Sequence, residues 1–182
     1  QIAKEPPPMP EIILRDAVVM DDWQILRPSD NEPVTVPAGR VIVPLAMWLE
    51  QQSGLAARGD VAVWLAGADD PAKLEPSLPS LALVAIDFAK FTDGRGYSIA
   101  YLLRSRFGYR GELRAIGDVL PDQLFYMKRV GFDAFAVRAD KDIRQALRSL
   151  RPFTDAYQGS WDNAVPAFRR HERAWPPAQN KS

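Results

Sequence analysis

The chain has 182 residues, of which 47% are hydrophobic, and its 23 basic and 23 acidic residues give a formal net charge of zero. This length suits one domain with a full hydrophobic core, and the balanced charge argues against a nucleic-acid-binding protein, which usually carries a basic excess. No apolar run approaches the roughly 18 residues that a membrane span requires, so we expect no contact with a membrane.

The sequence contains no cysteine and one histidine, His171. The lack of cysteine excludes disulfides, thiol nucleophiles and cysteine-ligated iron–sulfur clusters or haem. A zinc site of the usual kind also needs more histidine than this chain has. We therefore predict no metal centre, and any acid–base chemistry would use Asp, Glu, Lys or Tyr.

Composition divides the chain into three segments. Residues 1–10 lack the apolar core of a signal peptide, so we interpret them as a linker or as residues added for expression, and we predict a cytoplasmic protein. Residues 11–150 are predicted to form a single α/β domain. Residues 151–182 are rich in proline, arginine and spaced aromatics, and are predicted to form an arm that lies over a surface, either of its own domain or of a partner.

The first strands are short. Two apolar runs, Ile12–Leu14 and Val18–Met20, flank a short polar connection, and the apolar pair Ile25–Leu26 follows soon after. This pattern predicts a β-hairpin or a three-strand meander. Residues 28–39 contain three prolines and are predicted to form a loop.

Five apolar strands, each followed by helix-forming sequence, are predicted from residue 41 onward. They are Val41–Val43, Val61–Ala66, Leu81–Ile86, Leu113–Gly117 and Ala134–Val137. Their alternation with helices predicts about five parallel strand–helix units joined by right-handed crossovers. Five units are too few for a complete eight-unit barrel. We therefore expect either an open doubly wound sheet or a partial TIM-barrel-like sheet that closes with other elements or with a partner, which makes a homodimer plausible.

Four residues are predicted to mark helix ends. Asp70, Asp118 and Asp140 each follow a predicted strand and suit the N-cap position, because their side chains can accept a hydrogen bond from the first turn of a helix. Gly131 is predicted to end the helix that precedes the fifth strand.

Polar side chains concentrate after the third predicted strand, in the stretch Asp87–Ser98. Functional sites in parallel sheets lie beyond the carboxyl ends of the strands, so side chains from several strand ends are expected to meet at one rim. The candidate residues for binding an anion or another ligand on this rim are Asp87, Lys90, Asp93, Gly94, Arg95, Arg114, Asp118 and Arg138. No catalytic residue stands out among them.

The stretch Asp93–Gly96 has two interpretations. It could be a simple helix entry, in which Asp93 or Thr92 caps the helix and Gly94 adopts a turn conformation. It could instead recognise an anion through helix N–H groups and the guanidinium of Arg95. The sequence contains neither a P-loop nor a Gly-x-Gly-x-x-Gly fingerprint.

Asp118 also has two interpretations. It could cap the following helix, or it could stand beside Asp87 as the second carboxylate of one site. Such a pair could bind a Mg²⁺-like cation weakly, or one carboxylate could act as a base with a raised pKa. A further alternative is that the charges of the rim simply pair with one another as a structural ring.

A longer set of residues resembles the signature of an uncharacterised bacterial family of unknown function. The matching stretches are Asp87–Ser98, Leu102–Arg104, Gly108–Leu120, Asp122–Leu124, Gly131–Phe135 and Tyr157–Gln158. Members of this family are labelled as oxidoreductases involved in sulfite reduction, and their genes commonly lie beside assimilatory sulfite reductase. The resemblance covers roughly residues 9–158.

The resemblance implies a role in assimilatory sulfite reduction, with sulfite reductase or its electron donor as the partner. The chain has no cysteine, no histidine near the rim and no dinucleotide fingerprint. We therefore expect an accessory protein that docks on this partner rather than a free-standing redox enzyme. The alternative is an oxidoreductase or another enzyme that binds a small anion or a phosphate-bearing cofactor on the rim, and the sequence leaves the cofactor open.

Overall fold

A computed structural model of the protein describes residues 10–29 and 34–150. The strands are β1 (Glu11–Leu14), β2 (Ala17–Met20), β3 (Gln24–Ile25), β4 (Val41–Pro44), β5 (Val61–Ala66), β6 (Leu83–Phe88), β7 (Glu112–Gly117) and β8 (Ala134–Phe135). The α-helices are α1 (Leu45–Glu50), α2 (Gln52–Ala56), α3 (Arg95–Ser105), α4 (Leu124–Val130) and α5 (Ile143–Ser149), and 3-10 helices span Pro71–Ser80 and Pro121–Gln123. Within these ranges, no helix is long and apolar enough to cross a bilayer. The predicted arm, 151–182, and all but the last residue of the predicted linker lie outside the described residues.

The eight strands of the described residues form one sheet in the order β2-β1-β8-β7-β6-β5-β4-β3. Strands β3 to β8 are parallel and follow one another in chain order. Strand β1 pairs antiparallel with both β2 and β8. The predicted N-terminal hairpin is therefore confirmed. The three-strand meander is wrong, because β3 pairs with β4 at the opposite edge.

The fold is α/β as predicted, but the prediction of five strand–helix units does not describe it fully. Strand β3 adds a sixth parallel strand, where sequence analysis allowed a third strand of the N-terminal meander. The connection from β5 to β6 is a 3-10 helix in which Pro76 and Pro79 lack the backbone N–H that an α-helix would use. A doubly wound sheet is also wrong, because it requires a reversal of strand order, and the parallel strands here follow chain order without one.

The connection between the two edge strands forces the sheet to curl. Strand β2 at one edge ends at Met20, and β3 at the other edge begins at Gln24. A fully extended chain spans at most about 3.6 Å per residue, so the two edges lie within about 14 Å of each other. A flat sheet of eight strands would separate them by roughly 34 Å. The sheet is therefore a curled half-barrel, and residues 21–23, here called the bridge, bring its edges together without a second copy of the chain.

The convex face of the half-barrel carries the helices and the main hydrophobic core. Strand residues Val63, Val84 and Ile86 belong to one buried cluster with the helix residues Trp48 and Leu103. All five side chains are essentially inaccessible to water. Because side chains alternate between the two faces of a strand, the residues between those of this cluster face the concave side.

The concave face is packed with smaller side chains, because a tightly curled sheet leaves little room inside. Ala62, Ala85 and Ile116 belong to a second buried cluster on this face. Trp23 from the bridge and Trp64 from β5 pack against that cluster. The bridge therefore covers part of the concave face.

Arg114 is a charged residue buried on the concave face. In the register of the sheet it lies between Ala85 and Ala134, whose small side chains leave room for its guanidinium. Its Nη1 donates to both carboxylate oxygens of Asp21 at 2.9 Å, and its Nε donates to Glu112 at 2.7 Å. Asp21 and Arg114 are only 7% and 2% exposed. This pair ties the bridge to the middle of the sheet.

The structure corrects two of the predicted helix caps. Asp70 caps the first 3-10 helix and Gly131 ends α4 with a φ of 122°, as predicted. Asp118 and Asp140 are not caps, because both bind an arginine on the rim. The N-cap of α5 is Asp142, which accepts hydrogen bonds from two backbone N–H groups in the first turn.

Replacing Asp21 with alanine should lower the free energy of unfolding by about 3–5 kcal/mol, because it leaves Arg114 buried without its main partner. The neighbouring change Asp22→Ala removes only an exposed pair with Arg40. It should cost less than about 1 kcal/mol. Urea unfolding followed by tryptophan fluorescence measures both variants. Small and equal effects would contradict a structural role for the buried pair.

Candidate functional site

The predicted rim forms at the carboxyl ends of the parallel strands, where the loops after β5, β6, β7 and β8 begin. The structure places seven of the eight candidate residues on this rim: Asp87, Lys90, Asp93, Gly94, Arg95, Asp118 and Arg138. Asp69 and Asp70 follow β5 and Asp140 follows β8, so these three carboxylates belong to the same end of the sheet.

The prediction that Arg114 belongs to the rim is wrong. Arg114 is the third residue of β7, and its side chain is buried on the concave face with Asp21 and Glu112. The sequence places Arg114 within a predicted strand, but it does not show that Asp21, 93 residues earlier, binds the guanidinium. The guanidinium is therefore closed to a ligand on the rim.

Asp87 is held by Arg27, a residue that the sequence did not connect with the rim. The two side chains form a bidentate pair, with Nη1 to Oδ2 at 3.0 Å and Nη2 to Oδ1 at 2.7 Å. The guanidinium of Arg27 also lies 5.5 Å from the centre of the Trp64 ring. Trp64 in turn donates its Nε1–H to the carbonyl of Leu26 at 3.0 Å. The chain that follows β3 is thereby fixed across the rim.

Asp93 and Arg95 form a second bidentate pair. The Nε and Nη2 atoms of Arg95 donate to the two carboxylate oxygens at 2.9 and 2.8 Å. These bonds hold the pKa of Asp93 at about 2. A side chain at Gly67 would lie 2.9 Å from Oδ2 of Asp93, so the glycine makes room for the pair. Arg95 therefore already has an anionic partner, Asp93, two residues before it in the sequence.

Asp118 is bound from two sides. Arg138 donates from Nη1 to Oδ1 at 2.8 Å, and the backbone N–H of Phe91 donates to Oδ2 at 2.8 Å. Arg138 also binds Asp140 through two hydrogen bonds of 2.7 Å. The Arg138 hydrogen bond, more than any other contact, holds the pKa of Asp118 below its usual value. The interpretation of Asp118 as a base with a raised pKa is therefore wrong.

The loop between β6 and α3 presents Phe91 on the rim. Its N–H donates to Asp118, and its carbonyl accepts a hydrogen bond of 2.7 Å from Nε2 of Gln123. The side chain is nevertheless 47% exposed. Lys90 beside it is exposed and makes no salt bridge within the described part of the chain. The rim thus combines paired charges with an exposed aromatic ring on an anchored backbone.

The two glycines of the loop have structural roles that need no ligand. Gly94 is the N-cap residue of α3 and adopts a turn conformation, as predicted, although its φ of −72° and ψ of −11° are open to any residue. The predicted cap by Asp93 or Thr92 is displaced by one residue, although Asp93 accepts a hydrogen bond from the N–H of Arg95. Gly96 lies against β6, where a Cβ would come within 2.6 Å of the Phe88 ring.

The carboxylates of the rim bind arginines in the described structure. Within residues 10–29 and 34–150, no group of three or more carboxylate or histidine side chains is arranged to hold a metal ion. Asp87 and Asp118 are each bound to a different arginine. These ion pairs join the chain after β3 to the end of β6, and the loop after β8 to the loop after β7.

Sequence analysis missed three residues that shape the rim, which are Arg27, Phe91 and Gln123. Arg27 lies 60 residues before its partner Asp87, and β3 is too short to give a periodic signal. The bond from Gln123 reaches a backbone carbonyl, which no sequence pattern reveals. Phe91 did offer a signal, because it is an aromatic residue in the middle of a polar turn.

A family match covers most of the elements that build this rim. Residues 62–168 match a family described as bacterial protein of unknown function (DUF934). The chain belongs to this family. No curated protein matches the chain. The part of the chain that matches DUF934 begins within β5, so it contains Asp87, Phe91 and Arg138 but not Arg27 or the bridge.

Replacing Gly96 with alanine should lower the free energy of unfolding of this DUF934 protein by about 1–3 kcal/mol, because the added methyl group would overlap the Phe88 ring. The matched change Gly94→Ala meets no atom within 4 Å and should have an effect within about 0.5 kcal/mol. Thermal and urea unfolding measure the difference. Equal effects at the two positions would contradict the packing role of Gly96.

The ion pairs of Arg138 should make stability depend on acid pH. The pKa of Asp140 is about 2 in the folded protein and that of Asp118 is lowered too, both below the usual 3.8. A lowered pKa stabilises the fold above the unfolded-state pKa, and this contribution is lost as the pH falls through the folded-state value. The stability difference between wild type and Arg138→Met should therefore shrink as the pH falls from about 4 to about 2.

Urea unfolding between pH 7 and pH 2 measures this difference. Arg106→Met is a matched control, because Arg106 is exposed, contacts Phe107 and makes no salt bridge within the described residues. The difference in free energy of unfolding between Arg106→Met and wild type should stay constant over the same pH range. A constant difference for Arg138→Met as well would contradict the pairing of Arg138 with the rim carboxylates.

Proposed function

We propose that this DUF934 protein is an accessory protein of assimilatory sulfite reduction, which docks through its rim on sulfite reductase or on the electron donor of that enzyme. The docking part is carried by one observation, the exposed ring of Phe91 on a backbone anchored at both its N–H and its carbonyl. The partner is suggested by the resemblance of the sequence to a family whose genes lie beside sulfite reductase.

The anchoring of Phe91 favours binding of a macromolecule. Exposing an aromatic ring to water is unfavourable, so a loop that could relax would normally turn the ring inward. The hydrogen bonds that Phe91 donates to Asp118 and accepts from Gln123 hold the backbone in place, so that little conformational entropy is lost when a partner covers the ring. Aromatic side chains are also enriched among the residues that carry most of the binding energy in protein interfaces.

The charges around Phe91 fit the same role. Arg27, Arg95 and Arg138 are each paired with a carboxylate before any partner arrives. An apolar centre surrounded by polar groups that have their own hydrogen-bond partners is the usual composition of a protein interface. The exposed cation of Lys90 adds a group that can attract an acidic surface during the approach of the partner.

The alternative, an enzyme that binds a small anion or a phosphate-bearing cofactor on the rim, has less support. An anion at the rim would have to displace Asp93 from Arg95, or Asp118 and Asp140 from Arg138. The carboxylates with lowered pKa values stay ionised at neutral pH and are poorly matched to general acid–base chemistry. An accessory role needs neither a bound anion nor a general acid or base. We propose that the protein acts in the cytoplasm.

Replacing Phe91 with alanine should raise the dissociation constant of the complex with sulfite reductase, or with its electron donor, by about ten-fold or more. Tyr126→Ala is the matched control, because Tyr126 is a 64% exposed aromatic residue on α4. Its effect should be within about two-fold. Isothermal titration calorimetry against each purified partner measures these constants, and circular dichroism checks that both variants are folded.

Equal affinities of wild type and Phe91→Ala for the partner would remove the rim from the proposed interface. Failure of the wild-type protein to bind either partner would contradict the proposed function as a whole. In that case calorimetry with sulfite, phosphate, flavin and nicotinamide, using Arg95→Ala as the comparison, tests the enzyme alternative.

A further inference from the structure

The side of α4 that faces away from the core is largely aromatic. Leu124 and Met127 of this helix are fully buried in the main core. The helical period places Phe125 and Tyr126 on the side away from them, and Tyr126 is 64% exposed. The two rings pack edge to face, with their centres 5.7 Å apart. A surface helix normally presents polar residues to water, so the outer side of α4 has the composition of a side that is covered.

The outer side of α4 forms a surface with its neighbours. Arg129 lies on the same side as the two rings, with its guanidinium 6.0 Å from the centre of the Phe125 ring. The surface formed by Phe125, Tyr126 and Arg129 is here called the α4 surface. Tyr101, 52% exposed, lies on α3, the helix that packs beside α4. Exposed apolar residues that lie together usually mark an interaction site.

The described part of the chain ends close to the first turn of α4. Helix α5 packs against the 3-10 helix Pro121–Gln123, which leads directly into α4. The hydroxyl of Ser149, the last residue of α5, donates to the carbonyl of Pro121 at 2.8 Å. Leu150 is only 5% exposed and belongs to the main core. The chain that follows residue 150 therefore begins beside the α4 surface.

The segment 151–168, here called the tail segment, is long enough to cover this surface. Helix α4 has seven residues, which gives it a length of about 10 Å. An extended chain spans at most about 3.6 Å per residue, so Tyr157 can lie up to about 25 Å from Leu150, and Trp161 up to about 40 Å. Both aromatic residues can therefore reach any part of α4.

The composition of the tail segment fits the α4 surface better than it fits the rim. The segment has few aliphatic residues and four spaced aromatic residues, which are Phe153, Tyr157, Trp161 and Phe168. It gains most from burying these rings against apolar groups that already exist. The segment also contains Asp155 and Asp162. Helix α4 has no acidic residue that would repel them, whereas carboxylates line the rim.

The family match places α4 and the tail segment in one unit. The DUF934 match runs from residue 62 to residue 168, so it includes α4 and all four aromatic residues of the tail segment. Trp175 lies beyond the end of the match. A match that ended at residue 150 would instead have set the segment apart from the domain.

We propose that the tail segment folds back on its own domain and covers the α4 surface, with Trp161 against Phe125 and Tyr126. This assigns the predicted arm to its own domain instead of to a partner. The contact does not depend on the proposed docking of the rim, because the α4 surface contains no rim residue.

Paramagnetic relaxation in the full chain tests the proposal. The sequence has no cysteine, so Ser160→Cys provides a single site for a nitroxide spin label beside Trp161. The amide peaks of Tyr126 and Arg129 should lose most of their intensity while the nitroxide is oxidised, and should regain it when the nitroxide is reduced. The amide peak of Gly54, in α2, should keep its intensity in both states.

A second label and a second reference residue make the result independent of one variant. Asn163→Cys carries the nitroxide on the other side of Trp161 and should give the same pattern of losses on α4. The amide of Asp70, in the loop after β5, reports on the rim. Its peak should lose less intensity than that of Tyr126 with either label.

A matched pair of tryptophan variants tests the role of Trp161. In the spin-labelled protein, Trp161→Ala should restore the peak intensities of Tyr126 and Arg129, because it removes the largest ring from the contact. Trp175→Ala changes the same residue type beyond the family match, and should leave the losses as they are in wild type. Circular dichroism checks that both variants are folded.

Three outcomes would overturn the proposal. The first is that the losses are strongest at Asp70 or Gly54, or that no peak loses intensity. The second is that Trp161→Ala and Trp175→Ala have equal effects. The third is that the losses appear when spin-labelled protein is mixed with isotope-labelled protein that carries no spin label, because a second copy of the chain would then occupy the α4 surface. None of these measurements involves sulfite reductase, so their failure is distinct from failure of the proposed function.

Discussion

The buried ion pair between Arg114 and Asp21 is the interaction on which the half-barrel depends. Removing two charges from water costs several kcal/mol for each ion, and the cost is offset only when the geometry is good. Here two hydrogen bonds from Arg114 to Asp21, at 2.9 Å, and one to Glu112, at 2.7 Å, provide that geometry. Asp21 begins the bridge, so the pair fixes the bridge on the concave face. It thereby sets β3 beside β4, and the chain that follows carries Arg27 to its partner Asp87.

The charged side chains of the rim are largely compensated within the protein itself. At the rim, arginines and carboxylates pair with one another, and Phe91 remains as an exposed apolar group on an anchored loop. Enzymes with complete barrels place their small-molecule site at the carboxyl ends of the strands. In this half-barrel we propose that the same end docks on a macromolecule instead.

Much of the fold follows from the sequence, because the central strands are continuous apolar runs and the helices between them are amphipathic. The sequence left open whether the sheet is a partial barrel or doubly wound, because its closure depends on a two-residue strand and on an ion pair between residues 93 positions apart. The same limit explains the errors at Asp118 and Asp140, whose local sequence suits a helix cap but whose side chains bind Arg138. Arg114 was assigned to the rim because the sequence of β7 does not reveal that Asp21 and Glu112 bind its buried guanidinium. The other candidate residues lie together because the carboxyl ends of parallel strands meet at one edge of the sheet.

The most direct test of the central claim is a titration of the wild-type protein into purified sulfite reductase, supplied with its electron donor, in which binding and sulfite-dependent turnover are recorded in the same samples. An accessory protein that docks on this system should bind saturably, and turnover should change in proportion to the fraction bound. The absence of both binding and any change in turnover, with protein that is shown to be folded, would contradict an accessory role in sulfite reduction.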